Sequence, residues 1–227
     1  KTAYEIGVRL VGSEMCIRDS SIGAAHWIHA IRYNMNLTVF LHDNQIYGLT
    51  KKQASPTSPI GTKSNTTPRG SYLDALNPLS VTLGVANASF VAQAVDWIPE
   101  SLFEIVKAAY HHKGLSFVRI LQRCPEWLPK SLDPWMQDPD RIQLLHHENA
   151  LHLSAGLART YRNQRVHDPL DMNRAREIAS SKDVIPVGIL YQNRDIPRYE
   201  ETRQTGVLRT TETVRKGFEA ELDKYTV

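Results

Sequence analysis

Apolar positions along the chain fall into short blocks whose period switches between that of an amphipathic helix and that of a buried strand. From Ser21 to Tyr33, Ile22, Trp27, Ala30 and Ile31 share one helical face, which predicts a helix. Leu37 to Leu41 is a nearly continuous apolar, β-branched run, the pattern of a strand covered on both faces as in a parallel sheet. Pro78 suits the first turn of a helix running through Ala86, and Ser89 to Ala94 reads as a short strand. Pro99 and Glu100 open a further helix, with Leu102, Ile105, Val106 and Ala109 on one face and Gly114 closing it. A second buried strand follows and ends at Pro125. This order of helices and strands predicts a doubly wound α/β fold with a mostly parallel sheet.

Between the first strand and the Pro78 helix lie about thirty residues rich in Ser, Thr, Gly and Pro, starting at Asp43. A loop of that length in a compact domain is functional or else a flexible linker. Its place at the carboxyl end of a buried strand favours function, because open α/β sheets bind ligands along that edge. Beyond Pro125, residues 126 to 141 read as an irregular covering arm, and Gln143 to Arg162 as one or two short helices. Asp183 to Asn193 reads as a last short strand, and 200 to 225 as a charged helix with Phe218, Leu222 and Tyr225 on one side.

Composition narrows the classes. With 41% hydrophobic and 22% charged residues, the chain matches an ordinary globular protein, and its longest apolar runs are strand-sized, too short to cross a bilayer. A net charge of +3 is too small an excess to argue for nucleic acid. Two cysteines, Cys16 and Cys124, make no disulfide scaffold and fit a reducing compartment, so the expected location is the cytoplasm. Residues 1 to 20 show no signal-peptide pattern and no clean structural period, and VGSEMCIRDS resembles translated sequencing-adapter DNA. They are expected to be a non-native leader, followed by a core at 21–125 and a C-terminal arm and extension at 126–227.

Candidate chemistry gathers after the first strand. Asp43 and Asn44 offer the hard oxygen ligands that suit Mg²⁺, and Gly48 would let backbone approach a phosphate. The same residues also suit an Asx turn. Lys51 and Lys52 could meet an anion or simply face solvent. His26 and His29 lie three apart with no third ligand in view, and His111 and His112 suit a helix end, so histidine-bound metal is not expected. No nucleophile elbow, GxGxxG or Walker lysine is present.

The run from Ser21 to Ser71 resembles the thiamine-diphosphate region of the β subunits of 2-oxoacid:ferredoxin oxidoreductases. The family's IGxxHxxxAxRRN element is matched by Ile22, Gly23, His26, Ala30, Arg32 and Asn34, with Tyr33 replacing the second arginine. Its DNxxYGxTxGQxSPT element is matched by Asp43, Asn44, Tyr47, Gly48, Thr50, Gln53, Ser55, Pro56 and Thr57, with Lys52 where glycine is commoner. Similar segments continue to about Glu201. The resemblance implies a thiamine-diphosphate-binding fold, incomplete at the N-terminus because the preceding GDGD element is absent and Asp19 is at best a substitute for its last Asp. It implies Asn44 as an Mg²⁺ ligand, Tyr47, Gly48, Leu49 and Thr50 as cofactor-binding, Leu49 and Lys51 as substrate-reading, and Cys124 as one thiolate of a [4Fe-4S] cluster. The implied activity is oxidative decarboxylation of a 2-oxoacid, 2-oxoglutarate rather than pyruvate, to an acyl-CoA with electrons passing to ferredoxin, in a complex with an α subunit. The fragment alone is expected to be inactive. A non-catalytic module keeping the fold and an acetolactate-synthase-like enzyme are the alternatives.

Overall fold

The computed structural model describes residues 10–14, 23–148, 150, 154–203 and 211–223. A seven-stranded sheet runs through it in the order β1-β2-β6-β5-β9-β7-β8, made of β1 (Leu10–Glu14), β2 (Leu37–Asp43), β5 (Phe90–Val95), β6 (Ser116–Leu121), β7 (Ile142–His146), β8 (Gln164–Val166) and β9 (Ile185–Gln192). A small antiparallel hairpin pairs β3 (Ile46–Tyr47) with β4 (Gln53–Ala54). Every contact in the large sheet is parallel except that between β5 and β9. The sheet is therefore two parallel blocks of opposed direction, and the first block brings the carboxyl ends of β2, β6 and β5 side by side.

Both faces are covered, as the continuous apolar strands require. All six residues of β5 and all eight of β9 are buried. Along β5, Val91 faces a cluster with Trp27, Ile31, Leu83, Phe117 and Ile178, whereas Phe90, Ala92 and Ala94 face Ile105, Ala109, Val118 and Val187. The first cluster belongs to α1 (Ala24–Tyr33), α2 (Pro78–Gly84) and α6 (Met172–Ala179), and the second to α3 (Pro99–His111). This alternation is what a period of two gives when both faces are core.

Local chemistry fixes the element ends. Asn77 caps α2 by accepting from the N–H groups of Leu79 and Ser80, and Pro78 occupies the first turn. That helix stops at Gly84 rather than Ala86 because Val85 turns extended. α3 stops at His111 because extended backbone at His112 sends its ring to the Ser89 hydroxyl, 2.9 Å away. β2 runs on to Asp43, two residues beyond the apolar block.

One expectation needs correction. Gln143 to His146 is not helix but most of β7, with Ile142, Leu144 and Leu145 buried between β9 and β8. A separate short helix, α5 (Ala155–Thr160), does fall within the segment. Of the terminal helix, the structure describes α7 (Tyr199–Arg203) and α8 (Thr211–Asp223), with Phe218 and Leu222 exposed and Tyr225 outside the described residues. Residues 10–14 form β1 although their sequence shows no clean period, while Cys16 and Asp19 lie outside the described residues. β8 and α6 carry no sequence expectation at all. The arm after Pro125 is largely irregular, apart from the short helix α4 (Asp133–Met136) and a 3-10 turn over Pro139–Arg141.

Candidate functional site

The site is built where β2 and β6 end. Asp43, the last residue of β2, is fully buried and its carboxylate is wholly engaged. Its Oδ2 accepts from Nε and Nη2 of Arg119 at 2.8 and 2.5 Å, and its Oδ1 accepts from the Thr57 hydroxyl at 2.7 Å and the Gln45 N–H at 3.0 Å. Arg119 also donates from Nη1 to Oε1 of Gln93 on β5 at 3.2 Å. Asp43 thus serves as the anchor of the turn, and of the two residues that suited a metal only Asn44 keeps free ligating capacity.

Asn44 is 8% exposed, and among the described residues its Oδ1 accepts only the Ile46 N–H, at 3.2 Å. An amide oxygen has two lone pairs, so one remains for a cation. The chain then enters the β3–β4 hairpin, whose loop is Gly48 to Lys52. The Gly48 carbonyl is held inward by Nε1 of Trp127 at 2.9 Å and by the Lys51 N–H at 3.0 Å. The N–H groups of Gly48, Leu49 and Thr50 donate to nothing among the described residues. Successive free amide N–H groups in a turn suit an anion such as a diphosphate. Leu49 is 81% exposed, and Thr50 and Lys51 are exposed beside it. The Thr50 hydroxyl reaches the Tyr47 carbonyl at 3.5 Å.

Cys124 lies three residues past β6, buried and unoxidised. A Cβ placed on Gly48 would sit 3.4 Å from its Sγ, 3.6 Å from the Trp127 ring and 3.8 Å from Nδ2 of Asn44. The fold therefore brings Asn44, Gly48 and Cys124 into one contact group although 80 residues separate the first and last. Cys124 is a single thiol, and an iron-sulfur cluster needs further ligands. Among the described residues no group of three His, Cys, Asp or Glu is placed to hold a metal. His26 and His29 remain apart from this site, on α1.

Nearby, at the end of β5, burial pushes the Asp96 carboxyl above its usual range, with Arg123 partly offsetting the effect. Two contributors escaped the sequence reading. Trp127 sat in a stretch read only as a covering arm, and no local signal marks it. Arg119 did carry a signal: a charged residue within a buried strand demands a partner.

A mostly parallel sheet with helices on both faces, carrying a metal-suited amide and a turn of free N–H groups at its carboxyl edge, defines an α/β fold of the thiamine-diphosphate-binding type. Residues 20–120 match the family model of the C-terminal TPP-binding domain of thiamine pyrophosphate enzymes, and residues 158–206 that of the C-terminal part of the pyruvate ferredoxin oxidoreductase β subunit. The chain belongs to the thiamine-diphosphate-binding β subunits of 2-oxoacid:ferredoxin oxidoreductases. It is 33% identical to such a β subunit from a Sulfolobus species, over 88% of this chain and 65% of the relative. It is 48% identical to the KorB subunit of the 2-oxoglutarate oxidoreductase of Mycobacterium tuberculosis, over 50% of this chain and 30% of the relative. Among solved structures, a 2-oxoglutarate:ferredoxin oxidoreductase from Magnetococcus marinus, with 2-oxoglutarate, coenzyme A and succinyl-CoA bound, is similar with a TM-score of 0.69 and 29% identity, over 92% of this chain and 66% of that one. The chain thus spans 65% and 30% of the two curated relatives' lengths.

Proposed function

We infer that this chain supplies the diphosphate end of a thiamine-diphosphate site in a complex that oxidises a 2-oxoacid to an acyl-CoA and passes the electrons to ferredoxin. The observation that carries this is the contact group at the ends of β2 and β6: the spare lone pair of Asn44, the free N–H groups of Gly48, Leu49 and Thr50, and the Cys124 thiol beside them. Asn44 would ligate the Mg²⁺ and the Tyr47–Thr50 turn would hold the diphosphate. The cofactor supplies the carbanion chemistry, and the protein supplies binding and orientation. Cys124 would contribute one thiolate to a [4Fe-4S] cluster whose remaining ligands come from outside the described residues. The α subunit, ferredoxin and coenzyme A are the partners this reading requires, in the cytoplasm.

The substrate reading rests on Leu49 and Lys51, both exposed on the hairpin loop. A lysine on a flexible stem can meet a second carboxylate, which 2-oxoglutarate has and pyruvate lacks. Relatives named for 2-oxoglutarate in Mycobacterium tuberculosis and Methanocaldococcus jannaschii support the same preference. Ferredoxin reduction by the assembled complex, compared for the two acids, tests it. Lys51→Ala should raise KM for 2-oxoglutarate about tenfold, the size of one charge-assisted contact, and leave KM for pyruvate unchanged. Equal loss for both acids would remove Lys51 from substrate reading.

A further inference from the structure

At the carboxyl ends of β5 and β6, beside the start of α2 and the end of α6, lies a cavity of about 140 Å³ with mixed polar and apolar walls. Gln45, Asn77, Gln93, Arg119, Ser181 and Lys182 contribute polar groups to its walls, Trp135 adds its indole, and aliphatic residues such as Leu79 and Leu132 make up the rest. Asn44, Gly48, Leu49 and Cys124 do not line it.

These walls carry more donors than their own partners use. A guanidinium has five N–H groups. Arg119 gives two to Oδ2 of Asp43 and one to Oε1 of Gln93, so two remain on a side chain only 14% exposed. The indole N–H of Trp135 is buried with no partner among the described residues. Gln45 holds a left-handed φ of 61°, and the terminal amide atom placed as its oxygen is likewise buried without a partner. An amide flip would make that atom a further donor. Lys182 makes no ion pair among the described residues.

The acceptors, by contrast, are fewer: Oε1 of Gln93 takes one N–H of Arg119 and keeps one lone pair, and the Ser181 hydroxyl can accept or donate. Asp43 is filled by Arg119, Thr57 and Gln45. The Asn77 Oδ1 caps α2 while its Nδ2 donates to the Ala179 carbonyl, and Nε2 of Gln93 donates to the Pro186 carbonyl. An excess of unused donors over remaining acceptors, beside two cationic side chains, favours a ligand rich in acceptors. The volume equals that of about five water molecules at roughly 30 Å³ each, enough for one small oxyanion.

We propose that this cavity is a second ligand site that binds a small oxyanion, of the carboxylate or phosphate kind. The two unused N–H groups of Arg119 hold it, Trp135 stands in the wall beside it, and Lys182 closes over it. Because Arg119 also anchors Asp43, the occupied site would communicate with the Asp43–Asn44 turn through that one side chain. Anion binding in the cavity does not depend on thiamine diphosphate or on any 2-oxoacid reaching the first site.

The test follows the indole N–H of Trp135 in ¹⁵N-labelled protein, its resonance assigned by loss in Trp135→Phe. Acetate and inorganic phosphate are titrated separately against sodium chloride at constant ionic strength. The resonance should shift saturably with an oxyanion and not with chloride, and whichever of acetate and phosphate saturates at lower concentration identifies the preferred class. Lys182→Ala should weaken binding roughly threefold, as expected of one partly exposed charge, and Arg119→Lys should weaken it more. No saturable shift, or one that chloride reproduces, would leave the cavity to water and overturn the proposal. A saturable shift that both substitutions leave untouched would put the anion elsewhere and overturn it equally.

Discussion

Lys51 and Lys52 hold successive left-handed backbone angles, φ of 64° and 65°, in the loop between β3 and β4. A side chain in that region costs roughly 1–2 kcal/mol, which glycine avoids. The family pattern commonly has glycine where Lys52 stands, so the departure seen in the sequence has a physical cost in the fold. Lys52→Gly should raise stability by about 0.5–1 kcal/mol once the extra freedom of the unfolded chain is deducted, read as a higher denaturant midpoint with unchanged slope. The buried Asp43–Arg119 pair works the other way. Arg119→Leu leaves a buried carboxylate without its counter-charge and should cost about 3–5 kcal/mol in the same measurement. Asn44 and Gly48 were legible because they sit in one short run with Asp43. Arg119, Gln93 and Trp127 were not, because their partners lie on other strands or in an irregular arm, and only the folded sheet brings them to the Asp43 turn.

Among the elements, α1 ends on a residue that ties distant pieces together. Asn34 is fully buried in the left-handed conformation that terminates the helix. Its Oδ1 accepts from the Ser89 hydroxyl and the Leu115 N–H, and its Nδ2 donates to the carbonyls of Ile196 and Pro197. Gly114 makes room for it, since a Cβ there would stand 2.5 Å from Oδ1. Asn34→Ala should therefore cost about 2–4 kcal/mol and, more tellingly, free the segment from Ile196 to α7. Limited trypsin digestion should then cut at Arg194 or Arg198 several-fold faster while far-ultraviolet circular dichroism stays unchanged. The strands with continuous apolar runs were readable as β2, β5, β6 and β9. β7 was not, because five residues of mixed pattern are too short to show a period and become a strand only by pairing on both sides.

For the whole molecule, the opposed block β9-β7-β8 extends the sheet that carries the Asn44 turn, and one histidine locks its far edge. His167, just after β8, is 3% exposed; its Nε2 donates to the Leu190 carbonyl at 2.6 Å and its backbone N–H to the His146 carbonyl. Burial lowers its pKa below the ordinary 6.5, with the Leu190 carbonyl opposing that shift. The neutral ring is the folded form, so its contribution is full above pH 6.5 and is lost as pH falls through the lowered folded value. The thermal midpoint should accordingly fall between pH 6.5 and 5 in the natural protein, and fall less in His167→Gln. Equal slopes in both would put the acid sensitivity elsewhere.

The direct test of the proposed carboxyl-edge site is equilibrium binding of thiamine diphosphate, followed by quenching of tryptophan fluorescence with and without Mg²⁺. The arrangement of Asn44, the Gly48–Thr50 turn and Trp127 predicts saturable quenching that requires the metal, and at least about tenfold weaker binding in Asn44→Ala, the loss of one charge-assisted ligand. Binding that ignores both Mg²⁺ and the Asn44 substitution would contradict it.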